Sequence, residues 1–349
     1  MRGVTSRARL VCGSAMAVLA AAGLATAAPA WAAKTAVKPA PVEDAAPIYT
    51  PGQTSAYAYY LVGRYAMAMG DMDTAADALS RASGTDPVDS DLREKAFLIN
   101  ILNGNIDAAA KEAPHLGKTG TTGTLMNGLV GAASAVKDGH PAAALKSIDA
   151  VHKSDPAERT AALMRPYILA MNGDWAAAVD ESGDAALNAT DRGRLLVYLL
   201  KSERARIFEI RGDKSKAEAL YKGLYQPGAA SFIFGPDYAG FLERQGRPDE
   251  ARAIWKGVAD ASPDPVAAQA LVRIDSKGKP LALPDLKTSL SQALLLSATL
   301  YSSDQDPEMA LASLRLALYL DNSSDRARIY LGQVTQVLKD APAAEAAWA

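Results

Sequence analysis

The chain has 349 residues, enough for two average domains or for one elongated repeat array. Hydrophobic residues make up 49% of it but aromatic residues only 6%, because the apolar excess is alanine, which favours closely packed helices over a thick sheet core. The net charge of −2, with neither an acidic nor a basic tail, excludes the electrostatic footprint of a nucleic-acid-binding protein.

Residues 1–32 have the pattern of a secretory signal peptide. Three arginines precede an apolar run at 10–28, and Ala30 and Ala32 supply the small residues of a cleavage site. A membrane anchor is the alternative, but the alanine and glycine content, the marginal length and the cleavage site favour a signal peptide. The twin-arginine signature is missing. The sequence therefore predicts Sec-type export to the periplasm, with no transmembrane segment after cleavage.

Residues 33–55 contain four prolines among alanine, threonine and valine, a composition that predicts an extended tether and not a helix. Cleavage after residue 32 would leave a net charge of −5 and no cysteine, since Cys12 lies in the signal peptide. Cys12 lies at the start of the apolar run, whereas a lipidated cysteine would follow that run. An exported chain without cysteine must be held together by packing and not by disulfides.

From residue 56 onward the sequence repeats. Six glycines at predicted helix corners are separated by 34, 35, 34, 39 and 34 residues, and an alanine follows each of them five residues later. Two further alanines, again 34 residues apart, continue the series. A period of 34 predicts helical hairpins in which a small residue lets two helices approach closely. The glycines are Gly70, Gly104, Gly139, Gly173, Gly212 and Gly246; the alanines are Ala75, Ala109, Ala144, Ala178, Ala217, Ala251, Ala310 and Ala344.

This register resembles the tetratricopeptide repeat of exported bacterial proteins. The resemblance implies an all-α fold, a right-handed superhelical solenoid of helix-turn-helix hairpins, with six repeats in 56–265 and a seventh and a partial eighth in 291–349. Irregular hairpins are expected in units two and four, where Phe97 and Pro166 replace a small residue. The units are 56–89, 90–123, 125–158, 159–192, 198–231, 232–265, 291–324 and one from 325 onward.

Two departures from the period carry further expectations. The insert 266–290 contains glycine and two prolines, which predicts a half-helix and an exposed loop that divide the array into two stacks. The eighth unit stops inside its second helix, with Trp348 at a packing position. This abrupt end motivates an alternative in which the chain is the N-terminal repeat module of a larger protein whose activity lies in a missing C-terminal part.

No catalytic or metal-binding pattern is found in the sequence. The three histidines are isolated, without the HExxH or CxxC spacing that a metal site needs. We therefore expect no enzymatic activity, no cofactor and no small-molecule substrate. An envelope hydrolase is the remaining alternative, and a deep pocket with convergent titratable groups would distinguish it.

The resemblance implies instead that the first helix of each hairpin lines a concave groove. A protein or an extended peptide of the cell envelope is the expected occupant, and the expected function is a scaffold for the assembly or export of envelope components. Aromatic, methionine and arginine side chains are typical interface anchors. Tyr57 and Tyr60 could alternatively cover the end of the stack, with Met67 as core filler. The predicted groove residues are Tyr57, Tyr60, Arg64, Met67, Tyr167, Met171, Arg206, Glu209, Glu243 and Arg244.

Overall fold

A computed structural model describes residues 55–116, 121–155, 158–228, 231–261, 265–338, 343–344 and 347. The predicted signal peptide, the predicted tether up to residue 54 and the packing position of Trp348 lie outside these residues. The described chain is helical, with no strand in these ranges.

Most of the helices form consecutive hairpins joined by short turns. A 3-10 helix, Ala113–His115, follows the fourth helix. The helices are α1 (Ala56–Met69), α2 (Met72–Thr85), α3 (Ser90–Asn103), α4 (Ile106–Glu112), α5 (Thr121–Lys137), α6 (Pro141–Ser154), α7 (Arg159–Met171), α8 (Trp175–Ala178), α9 (Asp184–Leu187), α10 (Asp191–Arg211), α11 (Lys214–Leu224), α12 (Ser231–Arg244), α13 (Pro248–Ala261), α14 (Pro265–Asp275), α15 (Leu286–Ser303), α16 (Pro307–Leu320) and α17 (Asp325–Val337).

The hairpin corners combine a left-handed glycine with a side-chain cap. Gly70 and Gly212 have φ values of 76° and 90°, which only glycine adopts at little cost, and each ends a helix. The next residue, Asp71 or Asp213, begins the following helix; the Asp71 carboxylate accepts a hydrogen bond from the backbone N–H of Thr74 at 3.0 Å. All six predicted corner glycines have positive φ, which confirms the corners read from the sequence.

The repeated alanines lie where the two helices of a hairpin touch. All eight are buried, with exposed fractions of at most 4%. The close approach is seen at Gly63 as well, where an added Cβ would lie 2.7 Å from Cγ of Leu79 on the facing helix. The 34-residue register therefore locates the interface between paired helices correctly.

Because Ala144 is fully buried between α5 and α6, its replacement by tryptophan should overpack this interface. We expect the free energy of unfolding to fall by roughly 1–3 kcal/mol, measured by urea denaturation followed by circular dichroism. Ala143→Trp is the matched control, since Ala143 is exposed on the same helix. Equal stability of the two variants would contradict the register.

Units two and four depart from the regular hairpin, as predicted. The second helix of unit two, α4, has only 7 residues and runs into the 3-10 helix. In unit four, α8 has only 4 residues, and the short helix α9 follows it. Ala113 and Ser182 stand at the position where other units carry a bulky side chain, so less packing holds these second helices together.

The insert between the sixth and seventh units contains one helix and one loop. Helix α14 packs on α13, and most residues of the loop 276–285 are exposed. Lys277 has a φ of 54°, in the left-handed region, and ends the last turn of α14.

The seventh hairpin, α15–α16, folds back onto the first half of the array. Helix α15 contacts α7 and α10, while α16 contacts α3, α4 and α5. Since α3, α5, α7 and α10 are the first helices of units two to five, the hairpin covers the inner face that these helices form. The largest core cluster joins Leu290 and Leu294 of α15 and Leu316 of α16 to residues of α3 to α7.

Polar contacts also connect this hairpin to the array. The hydroxyl oxygens of Thr160 and Ser297 lie 2.7 Å apart, and the Tyr301 hydroxyl donates a hydrogen bond to Glu158 at 2.6 Å. The guanidinium of Arg315 donates to the carbonyl oxygen of Leu102 at 3.0 Å. These bonds join residues more than one hundred positions apart, so the seventh hairpin closes the array on itself.

Candidate functional site

The predicted groove residues of unit one lie on α1 with different exposures. Tyr57 and Arg64 are exposed, whereas Tyr60 and Met67 are half-buried against the small core of units one and two. The Arg64 guanidinium lies 5.8 Å from the centre of the Tyr60 ring, and the Lys95 ammonium lies 5.5 Å from it. Tyr60 therefore interacts with two cations of its own chain.

Unit four places its predicted groove residues in the interior. Tyr167 is fully buried, and its hydroxyl donates a hydrogen bond to Glu203 of α10. Burial raises the pKa of Tyr167 well above its usual value, and burial also raises the pKa of Glu203. Met171 is half-buried against the main core. Because α15 covers α7, Tyr167 has no open surface to offer a partner in this structure.

Arg206, predicted to face a partner, is paired within the chain. Its guanidinium contacts Asp237 of α12 at 2.9 Å and donates a hydrogen bond to Gln292 of α15 at 3.1 Å. The same residue therefore connects two successive first helices and the folded-back hairpin.

Glu209 and Arg244 also pair with each other. The two guanidinium nitrogens of Arg244 donate to the two carboxylate oxygens of Glu209 at 2.7 and 2.9 Å. The Tyr221 hydroxyl donates to the same carboxylate at 3.3 Å. This geometry is the bidentate arrangement that arginine and carboxylate groups favour.

One repeat later the arrangement recurs around Glu243. Arg273 of α14 donates two hydrogen bonds to it, at 2.8 and 3.1 Å, and the Trp255 indole N–H donates a third at 2.8 Å. Each glutamate thus binds an arginine of the helix that follows its own hairpin and the aromatic residue within that hairpin. The register assigned Glu209, Glu243 and Arg244 to a partner, but the two glutamates are buried in contacts that fasten one repeat to the next.

Two side-chain contacts show which positions of α10 and α12 lie at the same level. Ser202 donates to Asp237, and Arg244 donates to Glu209, and both pairs are 35 residues apart. Tyr198 and Ile233 are also 35 residues apart, one turn towards the start of α10 and α12. Tyr198 and Ile233 are 54% and 51% exposed, so this part of the inner face presents apolar side chains that the hairpin α15–α16 does not bury.

Comparisons with known proteins give structural likenesses only. No family model matches the chain, and no curated protein matches it. A tetratricopeptide repeat protein from Parabacteroides merdae is 14% identical, with a TM-score of 0.41, over 80% of this chain and 98% of its own. The structure of Naa15/Naa10 bound to HypK-THB is 14% identical, with a TM-score of 0.38, over 84% of this chain and 52% of that one.

The tetratricopeptide domain of P58(IPK) is 14% identical, with a TM-score of 0.25, over 84% of this chain and 82% of its own. The all-α, tetratricopeptide-like character of the fold rests on the helix pairs, the left-handed corner glycines and the buried alanines described above.

Several exposed apolar residues were not found from the sequence. The groove positions of the repeat do not include Tyr198, nor Leu61, Tyr65 and Met69 of α1, all of which are exposed. A signal was available for the last three, because they follow Tyr57 at intervals of four residues and so lie on one side of a helix.

Within the ranges that the structure describes, no group of three or more histidine, cysteine, aspartate or glutamate side chains could hold a metal ion. In the same ranges, no helix combines the length and the apolar content needed to cross a membrane.

Proposed function

We propose that this protein is a scaffold of the bacterial envelope that binds another protein and takes part in the assembly or export of envelope components. The observation that carries the proposal is the exposure of Tyr198 and Ile233, two large apolar side chains at equivalent positions of α10 and α12. Exposed large apolar side chains are a common centre for a protein contact.

The folded-back hairpin supports this location over the groove of units one to four. The inner face of α3, α5 and α7 is already covered by α15 and α16. On α10 and α12, by contrast, Leu195 and Phe232 are exposed as well as Tyr198 and Ile233. The occupant that fits is an extended or helical segment with apolar side chains.

The electrostatics of this region support binding and not catalysis. On the same two helices, Arg206 and Asp237 form a salt bridge with each other. Their pairing leaves the apolar side chains as the groups that can gain most by losing contact with water. The export pattern of residues 1–32 supports a periplasmic location.

The proposal predicts that Tyr198→Asp with Ile233→Asp abolishes partner capture. Chains from residue 33 onward would be used as bait in an envelope extract, and each captured protein would be quantified for parent and variant. Because each carboxylate would have to be buried against apolar groups, we expect the captured partner to fall by about 10-fold or more.

Ile329→Asp with Val337→Asp is the matched control, since both residues are exposed on α17. It should capture the same partner as the parent chain, and purified partner should then bind the parent and not the Tyr198 and Ile233 variant. A partner held equally by all three baits would place the contact elsewhere. Absence of any captured protein would refute the scaffold itself.

A further inference from the structure

The first helix of the array presents an apolar stripe to solvent. Tyr57, Leu61, Tyr65 and Met69 are 67%, 47%, 69% and 66% exposed. Their spacing of four residues places them in one row along the three to four turns of α1, and Val62 lies beside this row. We call these five residues the α1 stripe.

Packing elsewhere in the array shows what normally covers such a face. Helix α3 packs on the second helix of the preceding unit, α2; α7 packs likewise on α6, and α12 on α11. Helix α1 packs on α2 of its own unit through Gly63 and Ala66. Among the described residues no preceding unit covers α1, so the α1 stripe is left open at the end of the stack.

We propose that a second copy of this chain covers the α1 stripe, with the two α1 helices antiparallel across a two-fold axis. Antiparallel pairing at the level of Gly63 places Tyr57 opposite Met69 of the other copy and Leu61 opposite Tyr65. Every apolar residue of the row then meets an apolar residue. Such a contact is isologous and closes on itself, so it gives a dimer and not a fibre.

Charge and area are both compatible with a second copy. Arg64 is the only charged residue of α1, and its guanidinium lies 5.8 Å from the centre of the Tyr60 ring of its own chain. The five residues of the stripe themselves bring no charge into the contact. The stripe leaves roughly 500 Å² open on each copy, so a pair would bury about 1,000 Å², the smallest area typical of a specific interface. We therefore expect a weak dimer.

Sedimentation equilibrium of the chain from residue 33 onward tests this interface through a charge rescue. Leu61→Glu alone and Tyr65→Lys alone should each raise the dissociation constant by about 10-fold or more, because an unpaired charge would be buried twice in each homodimer. An equimolar mixture of the two variants should dimerise again, since Glu at 61 then meets Lys at 65 of the other copy and the second contact keeps Leu61 and Tyr65.

Ile329→Glu, an exposed apolar residue of α17, serves as the control and should dimerise like the parent chain. Unchanged circular dichroism would show that each variant is folded. A parent chain that stays monomeric up to high micromolar concentration would overturn the proposal, and so would a dimer that both variants leave intact. Variants that dissociate without rescue in the mixture would overturn the antiparallel pairing.

Discussion

Replacing Glu209 with alanine should lower the free energy of unfolding by about 3–5 kcal/mol. Glu209 is buried and accepts hydrogen bonds from both guanidinium nitrogens of Arg244 and from the Tyr221 hydroxyl. Its removal leaves a largely buried cation and a buried hydroxyl without their acceptor, and the loss of a partner is more costly than the pair itself is stabilising. Urea denaturation of the variant and the parent measures the difference.

Two further variants test whether the lost stability comes from leaving Arg244 without its partner. Glu218→Ala removes a carboxylate that pairs with Arg247 on the surface, so its cost should stay within about 1 kcal/mol. Glu209→Ala combined with Arg244→Ala should recover part of the lost stability, because the second substitution removes the unpaired charge. A Glu209 variant as stable as the Glu218 variant would mean that Glu209 does not fasten unit five to unit six.

The regular part of the fold could be predicted because it depends on contacts close in sequence. A corner such as Gly70 requires a left-handed conformation, and a helix interface such as that at Ala144 requires a small side chain. Both requirements recur every repeat, so a single sequence displays them several times. The fold-back of α15–α16 produces no repeated pattern in the sequence, because each of its contacts, such as that of Arg315 with Leu102, occurs only once.

The site was predicted less well for a related reason. The repeat register gives the side of a helix on which Glu209 or Tyr167 lies, but not what covers that side. Charge spacing carried usable information that the register ignored: Glu209 and Arg244 are 35 residues apart, close to one period, which places opposite charges on neighbouring first helices. Burial of Tyr167 could not be read in this way, because it depends on the distant helix α15 and on Glu203.

The folded-back hairpin should contribute to the stability of the whole array, and Leu294→Ala tests this. Leu294 is fully buried in the cluster that joins α15 to α7. We expect a loss of about 2–5 kcal/mol in the free energy of unfolding, from lost burial and from the cavity left behind. Hydrogen exchange should report the same change locally, with faster exchange of the α7 and α10 amides.

Leu281→Ala is the matched control, since Leu281 is exposed in the loop 276–285 and its truncation should change stability by less than about 0.5 kcal/mol. If the Leu294 variant speeds exchange only within α15 and α16, the hairpin is an accessory that units two to five do not need. Faster exchange in α7 and α10 as well would show that the hairpin α15–α16 stabilises the first helices on which it packs. The side chains of Tyr198 and Ile233, which the hairpin leaves exposed, would then remain open to a partner.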